Sequence, residues 1–569
     1  MGLIAGALQI GRSALLSYQS ALEVIGNNIS NAGSEGYTRN TAILSPQMGS
    51  MLPEGFQAGA GVALTAMRRN VDEALESRLR IALGDDDATA ATRNTLGRLE
   101  SILNELSDTD LSSLLDKFFN AFSNLQNSPQ DISARGIVIT AGQSVVDEIR
   151  RQRNDVLSLV GQVNEEIVDI TRQASQIAGE IASLNEQIVQ AESAQRGAIG
   201  ALRDQRDAKL RELSTVVQVN VQPQDNGSVN VYLGNELLIQ GSYSRGLTTK
   251  TEISNGLERV IPVFADDGGT ARILGGRLEG LVRSRDAYCA GHLADLDTLA
   301  AGMIQEVNKV HAQGQGLYGL TGVSGTYAVL DENAALNSNA AGLDLHPQNG
   351  TFQITVKNKA TGAATTATIA VDLDGLGSET TLNSLVAAIN AGTDNIAASV
   401  TADRRLQIAA DSGFEFTFAE DTSNVLAALG VNTFFTGKAA NDIGVNAVLT
   451  ADASLLAAAR TGLPGDGTNA AALSRVRNQN SSLLGGQSLM GFYNAVAGKI
   501  AVNGQATRAQ QSAANAITTS LQAQRESVSG VSLDEEAIQL LRFQRAFQGA
   551  ARYVTVVDQL INELLGIVK

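Results

Sequence analysis

The sequence predicts a multidomain α+β protein, with paired N- and C-terminal coiled-coil helices, a helical rod domain and outward β-rich domains. Apolar residues recur every seven positions at both ends of the chain and again in its first half, which is typical of helices that pack on other helices. Between these segments the apolar period changes to two, as in strands. The length of 569 residues is enough for about three or four domains.

An apolar heptad stripe marks each end of the chain. The N-terminal stripe consists of Leu8, Leu15, Leu22 and Ile29. The C-terminal stripe consists of Leu540, Phe547, Val554 and Ile561, with Phe543 on the alternate heptad position. A helix buries such a stripe only against another helix. We therefore expect each end to pair with the opposite terminus or with the same segment of a neighbouring molecule.

The middle of the chain alternates between helical and strand patterns. A nearly unbroken heptad over residues 145–191 predicts a long helical rod, and a second heptad segment over residues 278–311 is suited to lie against it. After residue 200 the apolar period changes to two. Asn226-Gly227 between alternating valines then predicts a β-hairpin.

Residues 322–444 are dominated by Thr, Ala, Gly and Asp, with short alternating runs that predict strands. Residues 381–390 within this segment have the pattern of one capped helix. Because helical patterns flank the segment on both sides, we predict an inserted β-rich module that faces outward. Further along, Ser532 and Glu535 fit a capping box, which predicts that the last helix starts near Leu533.

These patterns divide the chain into five predicted parts. The parts are residues 1–70, an N-terminal helix and turn that pairs with 510–569; residues 71–200, a helical rod domain continued by 272–320 and 445–509; residues 201–271, a β-hairpin domain; residues 321–444, an inserted outer β-rich domain; and residues 510–569, the C-terminal coiled-coil helices.

Composition excludes several classes of partner. The net charge of −17 and the pI of about 4.8 argue against nucleic acid and anionic lipid. No run of eighteen apolar residues occurs, so we expect no membrane span. The single Cys289 excludes an internal disulfide framework, and we expect it to be a core residue. The first residues do not resemble a secretory signal, because polar side chains interrupt them.

Three chemical signatures are present, and none predicts a site. The segment 314–319 matches G-x-G-x-x-G, but it follows a helical pattern rather than a strand. Cys289 and His292 are three positions apart without the further ligands that zinc requires. The acidic run 85–87 lacks the spacing of a calcium loop and is interpreted as a polar break between helices. We therefore predict no catalytic site, no cofactor and no metal, and no enzyme activity.

Two terminal segments resemble the signatures of a known group of proteins. Asn27-Asn28-Ile29-Ser30-Asn31-Ala32 with Gly36-Tyr37-Thr38-Arg39 resembles the N-terminal signature of bacterial flagellar rod, hook and hook-associated proteins. Residues 529–536 and 543–552 look like the end of the FlgK family of hook-associated proteins. The resemblance covers about residues 1–320 and 441–569. The insert resembles only loosely the small β-rich decorations of flagellins and hook proteins.

The resemblance implies a structural function: an adaptor ring between the hook and the filament, needed for filament assembly. The implied partners are the hook protein, a second hook-filament junction protein, further copies of this chain in a ring, and an export chaperone that binds the C-terminal helices. It also implies export, unfolded, through the flagellar type III apparatus to an extracellular location.

The site residues expected from the heptads and the resemblance are assembly contacts rather than catalysts. The expected inner-coil residues are Leu8, Leu15, Leu22, Ile29, Phe543, Phe547, Val554 and Ile561. The residues expected to fix the exit from the first helix are Asn27, Asn28, Asn31 and Tyr37. The candidate inter-subunit charges are Arg542, Arg545 and Arg552, whose alternative role is an ordinary solvated surface.

Two other functions fit parts of the sequence. A secreted coiled-coil adhesin or effector would also use long helices and a β-rich insert. A flagellar rod or hook protein shares the N-terminal signature, but the long 145–191 helix and the 543–552 ending argue against it. An enzyme is the least supported reading.

Overall fold

The computed structural model describes residues 2–34, 36–51, 57–103, 110–193 and 199–567. The described chain forms two compact units. Unit 1 comprises residues 1–94, 163–283 and 506–569, and unit 2 comprises residues 95–162 and 284–505. Both units are therefore assembled from segments distant in sequence.

Within the described residues, helices account for most of the structure. The α-helices are α1 (Gly2–Ser30), α2 (Glu73–Leu103), α3 (Leu111–Leu125), α4 (Ile132–Ser193), α5 (Ile199–Val216), α6 (Gly276–Arg283), α7 (Ala290–His311), α8 (Leu382–Gly392), α9 (Val425–Ala428), α10 (Ala447–Ala451), α11 (Thr468–Arg475), α12 (Leu489–Ser529) and α13 (Leu533–Ile567). A π-helical turn, Ser284–Cys289, joins α6 to α7.

The strands form hairpins and small antiparallel sheets. They are β1 (Asn40–Met51), β2 (Gln57–Arg69), β3 (Asn220–Pro223), β4 (Val229–Leu233), β5 (Glu236–Gln240), β6 (Tyr243–Ser244), β7 (Leu247–Ser254), β8 (Leu257–Phe264), β9 (Gly322–Ser324), β10 (Gly350–Asn358), β11 (Ala364–Val371), β12 (Ile396–Val400), β13 (Leu406–Ala410), β14 (Phe414–Ala419), β15 (Phe435–Thr436) and β16 (Gly444–Val445).

The predicted long heptad helix is α4, a single helix of 62 residues. Its predicted apolar positions are mostly buried; Val156, Val163 and Ile167, for example, are inaccessible to solvent. One neighbouring prediction was wrong. The acidic run 85–87, predicted to be a polar break between helices, lies inside α2, because polar side chains at the surface of a helix do not interrupt its backbone hydrogen bonds. Residues 201–216 of the predicted β-hairpin domain belong to α5, and the strands of that part begin at Asn220.

Unit 1 contains a long hairpin that the sequence patterns did not predict. Strands β1 and β2 pair antiparallel from Asn40 opposite Arg69 toward the turn, and three register shifts interrupt the ladder. Each shift moves the side chains to the other face, so no sustained period of two is visible in the sequence. The predicted Asn226-Gly227 turn is present between β3 and β4, with Gly227 at a φ of 81°. Strand order in that sheet is β3-β4-β5-β6.

Unit 2 has a helical core with an aromatic centre. Phe118, Phe119 and Phe122 of α3 pack with Phe434 and Phe435, and the ring centroids of the last two are 4.6 Å apart. The core also takes apolar residues from α4, α7, α11 and the start of α12. Burial of this many large side chains supplies most of the stability of such a unit.

The insert is an α+β module, as the alternating runs predicted. Its sheets have the strand orders β11-β10-β14 and β12-β13-β9, and α8 packs on β11 and β12. Thr381 and Ser384 form a capping box at the start of α8. The apolar faces of both sheets and of α8 contribute to one core cluster.

The insert is held on the helical core by a buried polar joint at the end of α7. The Asn308 side chain accepts hydrogen bonds from the N–H groups of Phe434 and Phe435 (3.0 and 2.9 Å) and donates to the carbonyl of Phe435 (2.8 Å). His311 accepts the N–H of Ala457 at Nε2 (3.1 Å), so Nδ1 carries the proton and donates to the carbonyl of Asn432 (2.8 Å). We call Asn308, His311 and Asn432 the insert joint.

No helix in the described part of the chain is both long and apolar enough to cross a membrane.

Candidate assembly interface

The first and last helices of the chain pack against each other in antiparallel directions. Gly11 lies against Val554, with no room for a side chain between the two helices. The rings of Tyr18 and Phe543 follow, with centroids 6.2 Å apart. Along α1 the contacts therefore run toward its C-terminal end, while along α13 they run toward its N-terminal end. The sequence ends thus meet within unit 1.

The predicted stripe residues of both helices are only half-buried in this single chain. This holds for Leu8, Leu15, Leu22 and Ile29 on α1, and for Phe543, Phe547, Val554 and Ile561 on α13. The buried positions of α1 belong to a second line along the helix, which includes Ser17 and Ala21. The Ser17 hydroxyl donates to the carbonyl of Val62 in β2 (2.9 Å). Helix α1 is therefore covered on one side by α13 and on another by the β1–β2 hairpin.

Asn28 organises the exit from α1. Its side chain is buried and makes four hydrogen bonds: Nδ2 donates to the carbonyl of Asn40 (2.8 Å) and to Glu536 Oε2 (3.0 Å), and Oδ1 accepts from the Tyr37 hydroxyl (2.9 Å) and the N–H of Asn40 (3.1 Å). Burial raises the pKa of Tyr37. The structure thus brings Asn28 and Tyr37 together where α1 ends, and it adds a link to α13.

Arg39 and the first turn of α13 form an ionic contact that the sequence reading missed. Arg39 Nε donates to the buried Glu536 (2.8 Å), and Nη1 donates to the exposed Glu535 (2.6 Å). Ser532 accepts the N–H of Glu535, so half of the predicted capping box is present, but the Glu535 carboxylate binds Arg39 instead of reaching back. Arg39 is the last residue of the N-terminal motif, and Glu536 is the last residue of the 529–536 motif. Their opposite charges at these two positions were the sequence signal for this ion pair. We call Asn28, Tyr37, Arg39, Glu535 and Glu536 the terminal clasp.

A second ionic cluster secures the base of the hairpin to α5. Arg69 Nη2 lies 2.6 Å from Asp204 Oδ1 and 2.7 Å from Asp207 Oδ2. Despite burial, these two carboxylates raise the pKa of Arg69. The N–H of Thr38 also donates to Asp204 (3.4 Å). The turn after α1, the hairpin and α5 therefore share one polar contact.

The other predicted site residues lie at the surface. The Asn31 side chain donates to the carbonyl of Asn27 (2.9 Å) and terminates α1 locally, whereas the Asn27 side chain is exposed. Arg542, Arg545 and Arg552 are exposed on α13, and none of them pairs with a carboxylate of the described residues. Arg542 lies over the Phe543 ring at 5.9 Å. Because these arginines have no partner carboxylate among the described residues, their inter-subunit role stays a prediction.

Metal or catalytic chemistry finds no support in the described part of the chain. No group of three or more His, Cys, Asp or Glu side chains is arranged to hold a metal ion there. Cys289 is buried, and burial raises its thiol pKa to about 12, so the thiolate nucleophile is suppressed.

Comparison with known families first defines the class of protein. Residues 8–38 match the model of the flagella basal body rod protein, and residues 522–567 match the C-terminal model of the flagellar basal body rod FlgEFG proteins. These ranges contain most of α1 with its exit and all of α13, the two helices that pack together. The chain is thus an axial protein of the bacterial flagellum.

Comparison over the full length then gives the family. Residues 96–324 match the helical domain of the flagellar hook-associated protein FlgK. The chain is 27% identical to flagellar hook-associated protein 1 of Escherichia coli K12 over 565 residues, covering 98% of both chains. Identity to the Bacillus subtilis protein of that name is 24%, over 98% of this chain and 97% of the relative. The chain belongs to the FlgK family and is a structural protein of the flagellar hook-filament junction.

A solved structure has a similar fold. The flagellar hook junction protein FlgK from Burkholderia pseudomallei aligns with a TM-score of 0.53 at 17% identity, over 80% of this chain and 100% of that chain. The relatives are structural flagellar proteins and not enzymes.

Proposed function

We propose that this chain forms an adaptor ring between hook and filament, in which the α1–α13 pair of one copy docks on that of the next. The observation that carries this proposal is a second apolar face on α13. Ile538, Leu541, Val556 and Leu560 are all more than half exposed, at 64, 57, 53 and 52%. They lie away from the residues that contact α1. A monomeric protein rarely leaves such a face uncovered.

This outer face is continuous along α13. Its members follow one another at steps of three or four residues, which places them on one side of a helix. They are Ile538, Leu541, Arg545, Gly549, Arg552, Val556, Leu560 and Leu564. The face is apolar at both ends and carries Arg545 and Arg552 in the middle. An interface with apolar anchors and a charged centre fixes register as well as affinity.

The exposed face of α1 has complementary chemistry. Leu16 is 56% exposed, and Glu23, seven positions further on, is exposed on the same side of the helix. A leucine and an acidic residue suit the apolar and arginine positions of the outer face. Because the two faces differ, the contact is heterologous, and a heterologous contact forms a ring when the rotation between copies closes and an open helix when it does not. We propose the closed ring for this protein. Coiled-coil packing of the half-buried stripe residues is proposed for this assembled state.

Charge distribution supports the same assembly. Residues 1–70 and 530–569 together contain eight basic and eight acidic side chains, so the middle of the chain carries the whole net charge of −17. Copies can bring neutral terminal helices together without the repulsion that acidic segments would add.

Charge reversal tests the proposed contact directly. Arg545→Glu is expected to abolish incorporation at the hook tip, and adding Glu23→Arg to the same chain is expected to restore it. Incorporation is measured by immunogold electron microscopy of hook-basal bodies, and folding by thermal unfolding of the purified variants. Normal incorporation of the single variant, or failure of the double variant with an intact fold, would exclude this pairing.

An aspartate scan of α13 separates its two apolar faces. Val554→Asp, on the face toward α1, and Val556→Asp, on the outer face, are both expected to block filament growth while the middle of the chain stays folded. Thr555→Asp is the matched control, because Thr555 is exposed between the two faces. Normal filaments in either valine variant would show that the face carrying that valine is not needed for assembly.

The partners proposed for the assembled ring are the hook protein on one side and a second hook-filament junction protein on the other. Deletion of the gene is expected to leave bare hooks and to release flagellin into the medium, measured by electron microscopy and by assay of the supernatant. Normal filaments in the deletion strain would remove the junction role and favour the secreted adhesin.

We further propose export through the flagellar type III apparatus, with an export chaperone covering the C-terminal helices. The exposed outer face of α13 would need cover before assembly. A chaperone that binds this face would protect α13 amides from hydrogen exchange in the purified complex. Unchanged exchange in α13 would place the chaperone elsewhere.

A further inference from the structure

The insert contains a small polar cleft that the junction role does not use. The cleft has a volume of about 210 Å³. It lies where β10 ends, β11 and β14 begin, and the chain leaves α8. A cleft of this size accommodates one small ring rather than a peptide.

Several side chains of the cleft have no internal partner. The carboxylate of Asp394, the carboxamide of Asn395 and the hydroxyl of Thr365 line the cleft and make no hydrogen bond with other described residues. Asn358 uses Oδ1 to accept the N–H groups of Ala360 and Thr361 (2.9 and 3.1 Å), which leaves Nδ2 free to donate. One acidic acceptor, two amides and a hydroxyl around one space match the donor and acceptor pattern of adjacent ligand hydroxyl groups.

The floor of the same cleft is apolar. Phe414 and Val356 line it, and the Phe414 ring is only partly buried. An aromatic floor below a rim of polar groups suits a ligand with an apolar C–H face and a polar edge. A pyranose sugar has this construction.

Charge argues against an anionic ligand. No lysine or arginine lines the cleft, and the nearby Lys357 is paired with Glu415 at 3.5 Å. Residues 321–444 contain thirteen acidic and five basic side chains, so the module repels anions. We propose that this cleft binds a neutral pyranose, either free or as a unit of a glycan.

The backbone conformation at Asn395 allows a substitution that removes the side chain without straining the turn. Asn395 has a φ of 62°, in the left-handed region that glycine adopts without strain. Asn395→Gly therefore removes the carboxamide and keeps the turn. Asp394→Ala removes the carboxylate from an exposed position. Asp411→Ala is the matched control, because Asp411 is an exposed acidic residue between β13 and β14 whose side chain does not line the cleft, and the substitution keeps its backbone hydrogen bonds to Asn395 and Phe414.

The test is a titration of the full chain with glucose, galactose, mannose and N-acetylglucosamine, followed by NMR of the protein amides. We expect saturable shifts for at least one sugar, centred on residues 393–395 and 414. Asp394→Ala and Asn395→Gly are each expected to weaken that binding about tenfold or more, and Asp411→Ala to leave it unchanged. Glucuronate, the anionic relative of glucose, is expected to bind more weakly than glucose.

A glycan array with the same proteins distinguishes the two sources of ligand: binding to immobilised glycans as well as free sugar indicates recognition of glycan ends. Absence of saturable binding by the whole sugar panel would overturn the proposal. Equal binding by wild type and both cleft variants would overturn it as well. The result is independent of the filament phenotype, so it does not depend on the junction role.

Discussion

The terminal clasp and the insert joint are both polar contacts between distant segments, yet they leave very different surroundings. At the insert joint, Asn308 and His311 are completely enclosed and every polar atom named there has a partner. At the clasp, Glu536 is buried, but the predicted stripe residues of the two helices are only half-buried, and α13 keeps a whole outer face in solvent. The hydrogen bonds of the joint are all satisfied within one chain. The pair of terminal helices instead exposes an apolar surface of the kind that another chain covers.

The difference separates a part of the protein that is rigid within one chain from a part that is suited to bind other chains. Buried polar networks with all members satisfied fix one geometry, because any displacement leaves an unpaired buried group. An exposed apolar face instead lowers its free energy when another surface covers it. We therefore expect variants at the joint to act on folding and variants on the helix pair to act on assembly.

The largest expected effect is at the joint. Asn308→Ala leaves two N–H groups and one carbonyl unpaired in a buried site, and we expect unit 2 to lose about 4 kcal/mol of unfolding free energy. Chemical denaturation followed by circular dichroism measures this loss. Asn383→Ala, at an exposed side-chain pair with Asn333, is the control and is expected to change little. Equal small effects of both variants would mean that the joint is not rigid.

Substitutions in the terminal clasp are expected to cost less free energy than Asn308→Ala, and the cost is expected to increase with the burial of the substituted side chain. Glu536→Gln removes a charge that is 2% exposed and is expected to weaken the attachment of α13 by about 2 kcal/mol. Glu535→Gln changes a side chain that is 61% exposed and is expected to cost less than about 0.5 kcal/mol. Hydrogen exchange of α1 and α13 amides measures both. If the two variants behave alike, burial does not govern the clasp.

Acidic pH is expected to weaken the joint. Burial lowers the pKa of His311 to about 4, and Arg135, which faces it from α4, acts in the same direction. The unfolded chain then takes up a proton below about pH 6.5 that the folded chain refuses, so stability is complete above that pH and falls as pH decreases toward 4. The loss from this residue is about 1.4 kcal/mol per pH unit, or about 2 kcal/mol at pH 5.

Denaturation curves of wild type and His311→Gln between pH 5 and 6.5 isolate this contribution. The difference between the two proteins should shrink as pH falls. His346→Gln is the control, because His346 is exposed, and it should keep the wild-type slope. A constant difference between wild type and His311→Gln would contradict the prediction.

The smallest expected effect concerns the close approach of α1 and α13. Alanine normally stabilises a helix interior by about 1 kcal/mol relative to glycine. Gly6→Ala, which meets nothing within 4 Å, should show this gain, whereas Gly11→Ala meets the Val554 side chain and should lose it. Thermal stability of the terminal helices measures the contrast. Equal gains in both variants would mean that the two helices do not pack closely at Gly11.

Much of the secondary structure could be predicted because it depends on local patterns. The 62-residue α4, the Asn226-Gly227 turn, the start of α13 at Leu533 and the α+β character of the insert all follow from periods and turn residues that lie next to one another in sequence. The hairpin of β1 and β2 was missed because its register shifts erase the period of two.

The candidate site was predictable only in part. The heptads indicated that the two ends pair, and the motifs indicated Asn28 and Tyr37. They did not indicate Arg39, Glu536 or the line of α1 residues beneath the hairpin, because a heptad reports that a face is apolar and not which surface covers it. The inter-subunit role of the three arginines stays a prediction.

By itself the sequence determined the helices and turns, the resemblance to the FlgK family and the acidic middle between neutral ends, because each of these follows from neighbouring residues or from composition. Only the tertiary structure decided that Asn28 bonds Glu536 508 positions away, that α1 lies between α13 and the hairpin, and that α13 keeps a second face in solvent. Such contacts depend on how the whole chain packs, and no local period encodes them.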